Sequence, residues 1–436
     1  MNQFSLFTTR RFAPLFFTQF LGALNDNIYK NALVILIAFT LAEMTKQNSS
    51  LLVILAAGVF ILPFFLFSAT AGQLADKYEK SLLIRRIKLA EIVIMSLGAV
   101  GFYFLSPYLL MVVLFLMGAQ SALFGPLKYG ILPQHLQTEE LTGGNGVIQM
   151  GTYLAILLGT MLGGVLIAIK STGPLLVSGT VIGVAILGWY ASCSIPRAAA
   201  PDPDLRLSWN FPQQISRVIG YAWEDKSVFM AVFAISWFWF VGATYLSLVP
   251  TLTRDVLGGN EHVATLLLTT FSIGIGSGSL LCEKFSRGRI EPGLVPMGAL
   301  GLSLFSLDLW FASLSIPPTT GISAAQFLQQ TVYWRVLIDL VLIGFSGGLY
   351  IVPLYAMVQN RSEARHRARI LAANNILNAL FMVGSALMTM LLLKIGLSIT
   401  ALFLTLAVLN TVVVSCVFLR EPEYILRFRV WARLLM

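Results

Sequence analysis

The sequence predicts an all-α integral membrane protein of twelve transmembrane helices arranged as two six-helix pseudo-repeats. The first observation is composition: of 436 residues, 57% are hydrophobic and only 11% charged, with a mean hydropathy of +0.81. An ordinary soluble domain carries about 25% charged residues, so this chain cannot cover a water-exposed surface, and a soluble enzyme is excluded. The second is length. At about 20 apolar residues per span, the chain has room for a dozen spans with short connections. The third is the placement of its basic residues, which gather on one side of the resulting threading.

The spans are apolar runs bounded by charged or Pro/Gly-rich breaks. In order they cover 13–42, 51–71, 87–105, 108–130, 145–169, 174–195, 227–250, 263–283, 293–315, 334–358, 371–393 and 398–419. Arg10-Arg11-Phe12 ahead of the first resembles a twin-arginine export signal. No small-residue cleavage site follows, however, and Asp26 inside the span is foreign to an export sequence, so the pair is read as a basic anchor. Between spans six and seven lies the longest polar insert, 196–226, with Pro196, Pro201, Pro203 and Pro212. The expected organisation is therefore an N-terminal six-helix half (1–195), a linker (196–226), a C-terminal half (227–419) and an amphipathic tail (420–436) that mixes Arg with Phe, Trp and Leu.

With the N-terminus inside, 23 of the 29 Lys and Arg residues fall on cytoplasmic segments and five outside: Lys46, Lys170, Arg254, Arg335 and Lys394. Lys30 lies within the first span. This asymmetry predicts that both termini are cytoplasmic. The six-plus-six division is the plan of a transporter built from two parallel repeats. An internal echo agrees with it: Gly72-Gln73-Leu74-Ala75-Asp76-Lys77-Tyr78, between spans two and three, matches Gly278 through Glu283-Lys284-Phe285 between spans eight and nine, with one residue inserted.

Ionisable groups inside hydrocarbon are costly and face a cavity, a partner or a pathway. Asp26 is the clearest, in Leu24-Asn25-Asp26-Asn27-Ile28-Tyr29-Lys30-Asn31. One reading makes Asp26 and Lys30 a local i,i+4 pair; the other, favoured here, puts Asp26 and Asn27 on the wall of a polar cavity. Lys128, in Gly125-Pro126-Leu127-Lys128-Tyr129-Gly130, either snorkels to the interface or points into the bundle as a cation that binds an anionic headgroup or pairs with Asp26. The glycine and proline around it suggest an irregular backbone there. Asp339 follows Arg335 by four residues, and a local salt bridge accounts for both. Asp308 and Glu91 are left without a firm role, Glu91 lying near Lys88. Asn374, Asn375 and Asn378 open span eleven, with Asn374 and Asn378 on one face, and Asn145 and Gln149 open span five similarly. Such amides glue helices together or hydrogen-bond a ligand.

Other matches carry less. Gly344-Phe345-Ser346-Gly347-Gly348 fits a nucleophile-elbow pattern but sits within an apolar helix. With Gly274-Ile275-Gly276-Ser277-Gly278 and Gly159/Gly163, it reads as close helix packing. There is no G-x-x-x-x-G-K-[ST] phosphate loop for ATP, and no basic patch interleaved with aromatics for nucleic acid. The three cysteines, Cys193, Cys282 and Cys416, and three scattered histidines suggest neither a disulfide framework nor a metal site. No cofactor is expected.

Gly72-Gln73-Leu74-Ala75-Asp76-Lys77 resembles the signature loop between helices two and three of the major facilitator superfamily, with Glu79 where that pattern has a later glycine. More narrowly, Asn25-Asp26-Asn27, this loop, Pro126-Leu127-Lys128-Tyr129-Gly130-Ile131-Leu132, Asn145-Gly146 and Gly347-Gly348 to Pro353-Leu354 resemble the bacterial lysophospholipid transporter family. The resemblance implies a flippase of the bacterial inner membrane. It would carry lysophosphatidylethanolamine and lysophosphatidylglycerol from the outer to the cytoplasmic leaflet for reacylation, as a monomer within the lipid bilayer. Asp26, Asn27, Lys30, Lys128, Tyr129, Asn145, Gln149, Asn374 and Asn378 are the expected substrate-binding residues. Gly72, Asp76 and Lys77 are the expected conformational switch loop, its carboxylate locking against a helix N-terminus. The family's arginine in helix seven is absent, the chain reading Gly242-Ala243-Thr244-Tyr245-Leu246. The tail looks like the junction of fused members that continue into acyltransferase and acyl-carrier-protein synthetase domains, the expected partners, separate or fused. The alternatives are a proton-coupled exporter of small amphiphilic compounds, with Asp26 as protonation site, and a membrane anchor presenting lipid to an acyltransferase.

Overall fold

The structure, a computed structural model, describes residues 3–37, 49–317 and 320–435. Residues 38–42 of the expected first span, and Lys46, lie outside these. Twelve long helices follow one another: α1 Ala13–Leu36, α2 Ser49–Lys77, α3 Lys80–Tyr103, α4 Pro107–His135, α5 Leu141–Ile167, α6 Gly173–Cys193, α7 Lys226–Asp255, α8 Glu261–Ser286, α9 Leu294–Leu314, α10 Trp334–Arg361, α11 Arg367–Lys394 and α12 Ile399–Arg420. A linker helix, Phe211–Glu224, precedes α7, and a tail helix, Glu423–Leu435, follows α12. The all-helical fold matches the sequence expectation. Among the described residues, ten of these helices are long and apolar enough to cross a membrane. The other two, α1 and α3, carry Asn25-Asp26-Asn27 with Lys30, and Lys88 with Glu91.

Caps set several boundaries. Glu79 accepts from the amides of Ser81 and Leu82, Asp225 from those of Ser227 and Val228, and Asn260 from those of His262 and Val263, each satisfying donors that a helix start leaves open. The cap on α3 explains why it begins at Lys80 and not at 87: the basic turn is helical because Glu79 holds its first amides. α2 likewise runs to Lys77, so Gly72, Asp76 and Lys77 are not a loop. They form the last turns of the helix, and only Tyr78 and Glu79 separate it from α3. The backbone around Lys128 is regular too, α4 continuing through Pro126 and Pro133; packed neighbours let a membrane helix tolerate proline.

Packing has an approximate two-fold pattern. In the first half α1 packs on α5 and α6, α2 on α4, and α3 on α4 and α6; in the second, α7 packs on α11 and α12, α8 on α10, and α9 on α10 and α12. Each pair recurs six helices later. Between the halves, α5 meets α8 and α2 meets α11. Glycines make the closest approaches, as small residues do in membranes. Gly274 and Gly278 of α8 lie against backbone at Val341 and Phe345 of α10, which returns Gly344 and Gly348 against Phe271, Ile275 and Gly278. Gly159 and Gly163 seat α5 on Leu24 and Ile28 of α1.

Candidate functional site

A central, half-enclosed cavity of about 540 Å³ lies where α1, α2 and α4 face α7, α10 and α11, within the roughly 300–1,000 Å³ range of small-ligand sites. Every lysine, arginine and carboxylate side chain in it comes from the first half: Asp26 and Lys30 of α1, Lys88 of α3 and Lys128 of α4; the phenols Tyr129 of α4 and Tyr355 of α10 line it as well. The second half contributes Trp239, Leu246, Ala379 and Met382, with Asn375 and Asn378 as its amides. Beyond the charges, Leu33, Val34, Val53, Ala56 and Phe60 continue the wall as an apolar surface.

Asp26 Oδ2 accepts from Ser121 Oγ at 2.7 Å. No ion pair within 4 Å joins Asp26 to Lys30 among the described residues; the Lys30 ammonium instead lies 4.4 Å from the centre of the Phe60 ring. Both side chains line the cavity. Asn27 lines the cavity while its Nδ2 donates to Ala23 O one turn back. Lys128 does not snorkel. It lines the cavity, its ammonium 4.5 Å from the centre of the Tyr129 ring, and among the described residues no carboxylate lies within ion-pair distance of it. A buried cation in this state favours an anionic guest.

The remaining expected residues divide. Tyr129 lines the cavity and stacks on Tyr355 at 4.2 Å and 10°, first half against second. Gln149 lies behind it, Nε2 donating to the Tyr129 hydroxyl at 3.0 Å. Asn145 is not on the cavity: it exchanges hydrogen bonds with Gln359 of α10 at 2.6 and 3.1 Å, a buried amide pair that ties α5 to α10. In α11 the cavity-facing amides are Asn375 and Asn378, with Asn378 also accepting from Ser236; Asn374 is buried off the wall. A four-residue spacing and a three-residue spacing both share a helix face, and only packing decides which face turns inward. Lys88 and the Glu91–Gln120–Ser121 group behind it were missed, because a charged pair near a helix start looks interfacial. At the opposite end of the bundle Arg335 pairs with Asp308 of α9, not with Asp339; that partner lies on another helix, where spacing along the chain is blind.

The end of the bundle that carries both described chain ends and most basic residues is shut. Asp76 accepts from the amides of Ala368 and Arg369 at the start of α11, both at 3.2 Å, and from Arg369 Nε at 3.0 Å. Arg369 also reaches Asp202 of the linker at 2.9 Å. Gly72 permits this approach, since a Cβ there would lie 2.8 Å from Arg369 Cα. Across the pseudo-axis, Gly146 of α5 lies against Ser279 O of α8, and Gln3 donates through its amide to Glu283 and through Nε2 to Leu280 O. Glu283 thus occupies the place in α8 that Asp76 occupies in α2.

A model of the Major Facilitator Superfamily matches residues 15–381. The chain is 27% identical over 353 residues to a Serratia proteamaculans protein named lysophospholipid transporter LplT, covering 79% of each. It is 27% identical over 308 residues to the Photorhabdus laumondii protein of the same name, covering 69% of each. Among solved structures, it resembles the transporter FucP in the outward conformation with a TM-score of 0.69 at 14% identity, over 94% of this chain and 98% of that one. It also resembles a bacterial homologue of the iron transporter ferroportin in an outward-facing state, with a TM-score of 0.66 at 14% identity, over 96% and 99%.

Proposed function

The chain belongs to the Major Facilitator Superfamily and is a multi-pass membrane transporter; we propose that its substrate is a lysophospholipid, flipped from the outer to the cytoplasmic leaflet of a bacterial inner membrane. The observation that carries this is a cavity that joins a cluster of charged side chains, all from the first half, to an apolar surface drawn from both halves. A molecule with a charged phosphate headgroup and one acyl chain matches both at once. The names of the similar proteins support the same reading.

In this mechanism Lys128 attracts the phosphate through charge-assisted hydrogen bonds. Asp26 and Asn27 hold the amine of an ethanolamine headgroup or the hydroxyls of a glycerol one. The acyl chain lies along the apolar wall or leaves between the halves. The 23-to-5 basic asymmetry supports placing the shut end in the cytoplasm, so the cavity receives lipid from the outer side. The halves then rock about it. Asp76 leaves the α11 start, and the amide pair and tyrosine stack part. Release on the cytoplasmic side delivers the lysolipid to an acyltransferase, separate or fused.

Flipping of labelled lysophosphatidylethanolamine in proteoliposomes, without ATP and with or without a proton gradient, tests this. The expected result is movement independent of the gradient, reduced at least about tenfold in Asp26→Asn at an unchanged yield of folded protein. Movement that requires a proton gradient makes Asp26 the protonation site of a coupled porter. No movement of lysolipid by folded protein overturns the lipid reading.

A further inference from the structure

Besides Lys30 and Lys128, the cavity contains a third cation whose partners are built to let it go. Lys88 of α3 is 1% exposed. Its Nζ lies 2.6 Å from Glu91 Oε2 and 4.8 Å from the centre of the Phe124 ring, and the side chain reaches the cavity wall. Gly22 of α1 makes the space: a Cβ at 22 would collide with the Lys88 ammonium. Glu91 does not depend on Lys88 alone. Its Oε1 accepts from Asn25 Nδ2 and its Oε2 from Gln120 Nε2, both at 3.0 Å. If the ammonium turns away, two amides still hold the carboxylate, so the loss is of one hydrogen bond and not of all its solvation.

Lys128 lines the same cavity with no carboxylate within ion-pair distance among the described residues, and the two ammonium groups repel each other. Across low-dielectric space that repulsion is relieved by an anion between them. The network also continues to the other end of a headgroup. Ser121 Oγ, 3.3 Å from Gln120 Oε1, is the group that donates to Asp26.

We propose that Lys88 is a phosphate ligand of the cavity, exchanging Glu91 for a phosphate oxygen held jointly with Lys128. The assignment rests on the lipid reading only in taking that phosphate to be a lipid's. On this account Gly22, Asn25 and Gln120 are positioning residues: one gives Lys88 its place and the other two stabilise Glu91 after the exchange.

The test uses the full chain in nanodiscs and two probes, dodecyl phosphate and the phosphate-free monolauroylglycerol, followed by tryptophan emission with Trp239 on the cavity wall as reporter. The variant Lys88→Gln/Glu91→Gln removes both charges together, so no buried charge is stranded. It is expected to bind dodecyl phosphate at least about tenfold more weakly than wild type and monolauroylglycerol equally well. Gly22→Ala, which keeps both charges but displaces the ammonium, is expected to shift the same way and serves where the double variant fails to fold. Unchanged dodecyl phosphate affinity in the folded variant, or equal loss of both probes, overturns the assignment. Wild type that binds dodecyl phosphate through Lys88 yet flips no lysolipid retires the transport reading alone. Wild type that flips lysolipid with Lys88 dispensable for phosphate retires only Lys88.

Discussion

Glu79 shows how much one side chain can organise. Partial burial acts to raise its pKa, but the backbone amide of Ala198, the Ser81 hydroxyl and amide, and the Leu82 amide together hold it below its ordinary value. Because the folded value is depressed, the stabilisation is complete above the ordinary carboxylate value of about 4.3 and is lost as pH falls through the folded one. Hydrogen exchange of a peptide spanning 196–208, corrected for intrinsic rates, should therefore show protection at pH 7 that fades on acidification. Glu79→Gln should show the faded pattern already at pH 7, and equal protection in the two proteins would contradict the assignment. Gln359 offers a second test. Gln359→Leu leaves Asn145 with only its bond to Leu141 O, a loss of about 1–3 kcal/mol borne only while the basic end is shut. Spin labels at the exposed Tyr78 and Ala364 should then report a longer-distance population raised about tenfold or more. Sequence reading found Asp26 and Lys128 because a lone charge in an apolar run stands out by itself. It could not assign Asn145, Asn374 or Lys88, whose roles depend on how each helix is rotated and on partners far along the chain.

Elements meet in two distinguishable ways, and glycine marks both. The α8–α10 glycines interlock helices of one half, so their contacts persist through any rocking of the halves. Gly72 and Gly146 instead lie where one half touches the other. A Cβ on Gly146 would sit 2.5 Å from Ser279 O, a contact that only closure brings about. Gly146→Ala and Gly72→Leu should therefore hold the basic end open by the same spin-label distance and slow transport, while folding normally. Gly344→Leu, driven into Phe271 and Gly274, should instead lower the yield and thermal stability of folded protein by the mechanism of core overpacking, about 1–3 kcal/mol. If both kinds of variant misfold alike, the distinction between fixed and moving contacts fails. The helices themselves were legible, since a run of apolar residues is a local property. Their ends were less so: α2 and α3 extend through charged turns because caps and partner helices satisfy groups that composition alone would send to water.

At the scale of the molecule, the repeated packing pairs and the family match agree on one architecture of two six-helix halves. The linker is less passive than its prolines suggested. It is strapped to the first half by Gln73–Ser208, Lys77–Leu205 O and the Lys80 amide on Ala198 O, and reaches the second through Asp202 to Arg365 and Arg369. Asp202→Asn should weaken closure without loosening the linker from α2, readable as a longer label distance with unchanged exchange protection at 198–208. One consequence of α1 lies in biosynthesis. This helix leaves the ribosome before the helices it packs with, yet Asn25 and Asp26 find their partners Glu91 and Ser121 only 66 and 95 residues later. A nascent chain ending after α2 holds an aspartate of about 3 kcal/mol insertion penalty with only Lys30 of its own helix to offset it and without its Ser121 partner. Reporter fusions at that point should read incomplete insertion of α1, and fusions after α4 complete insertion, so the translocon must shelter the first helix until the fourth arrives.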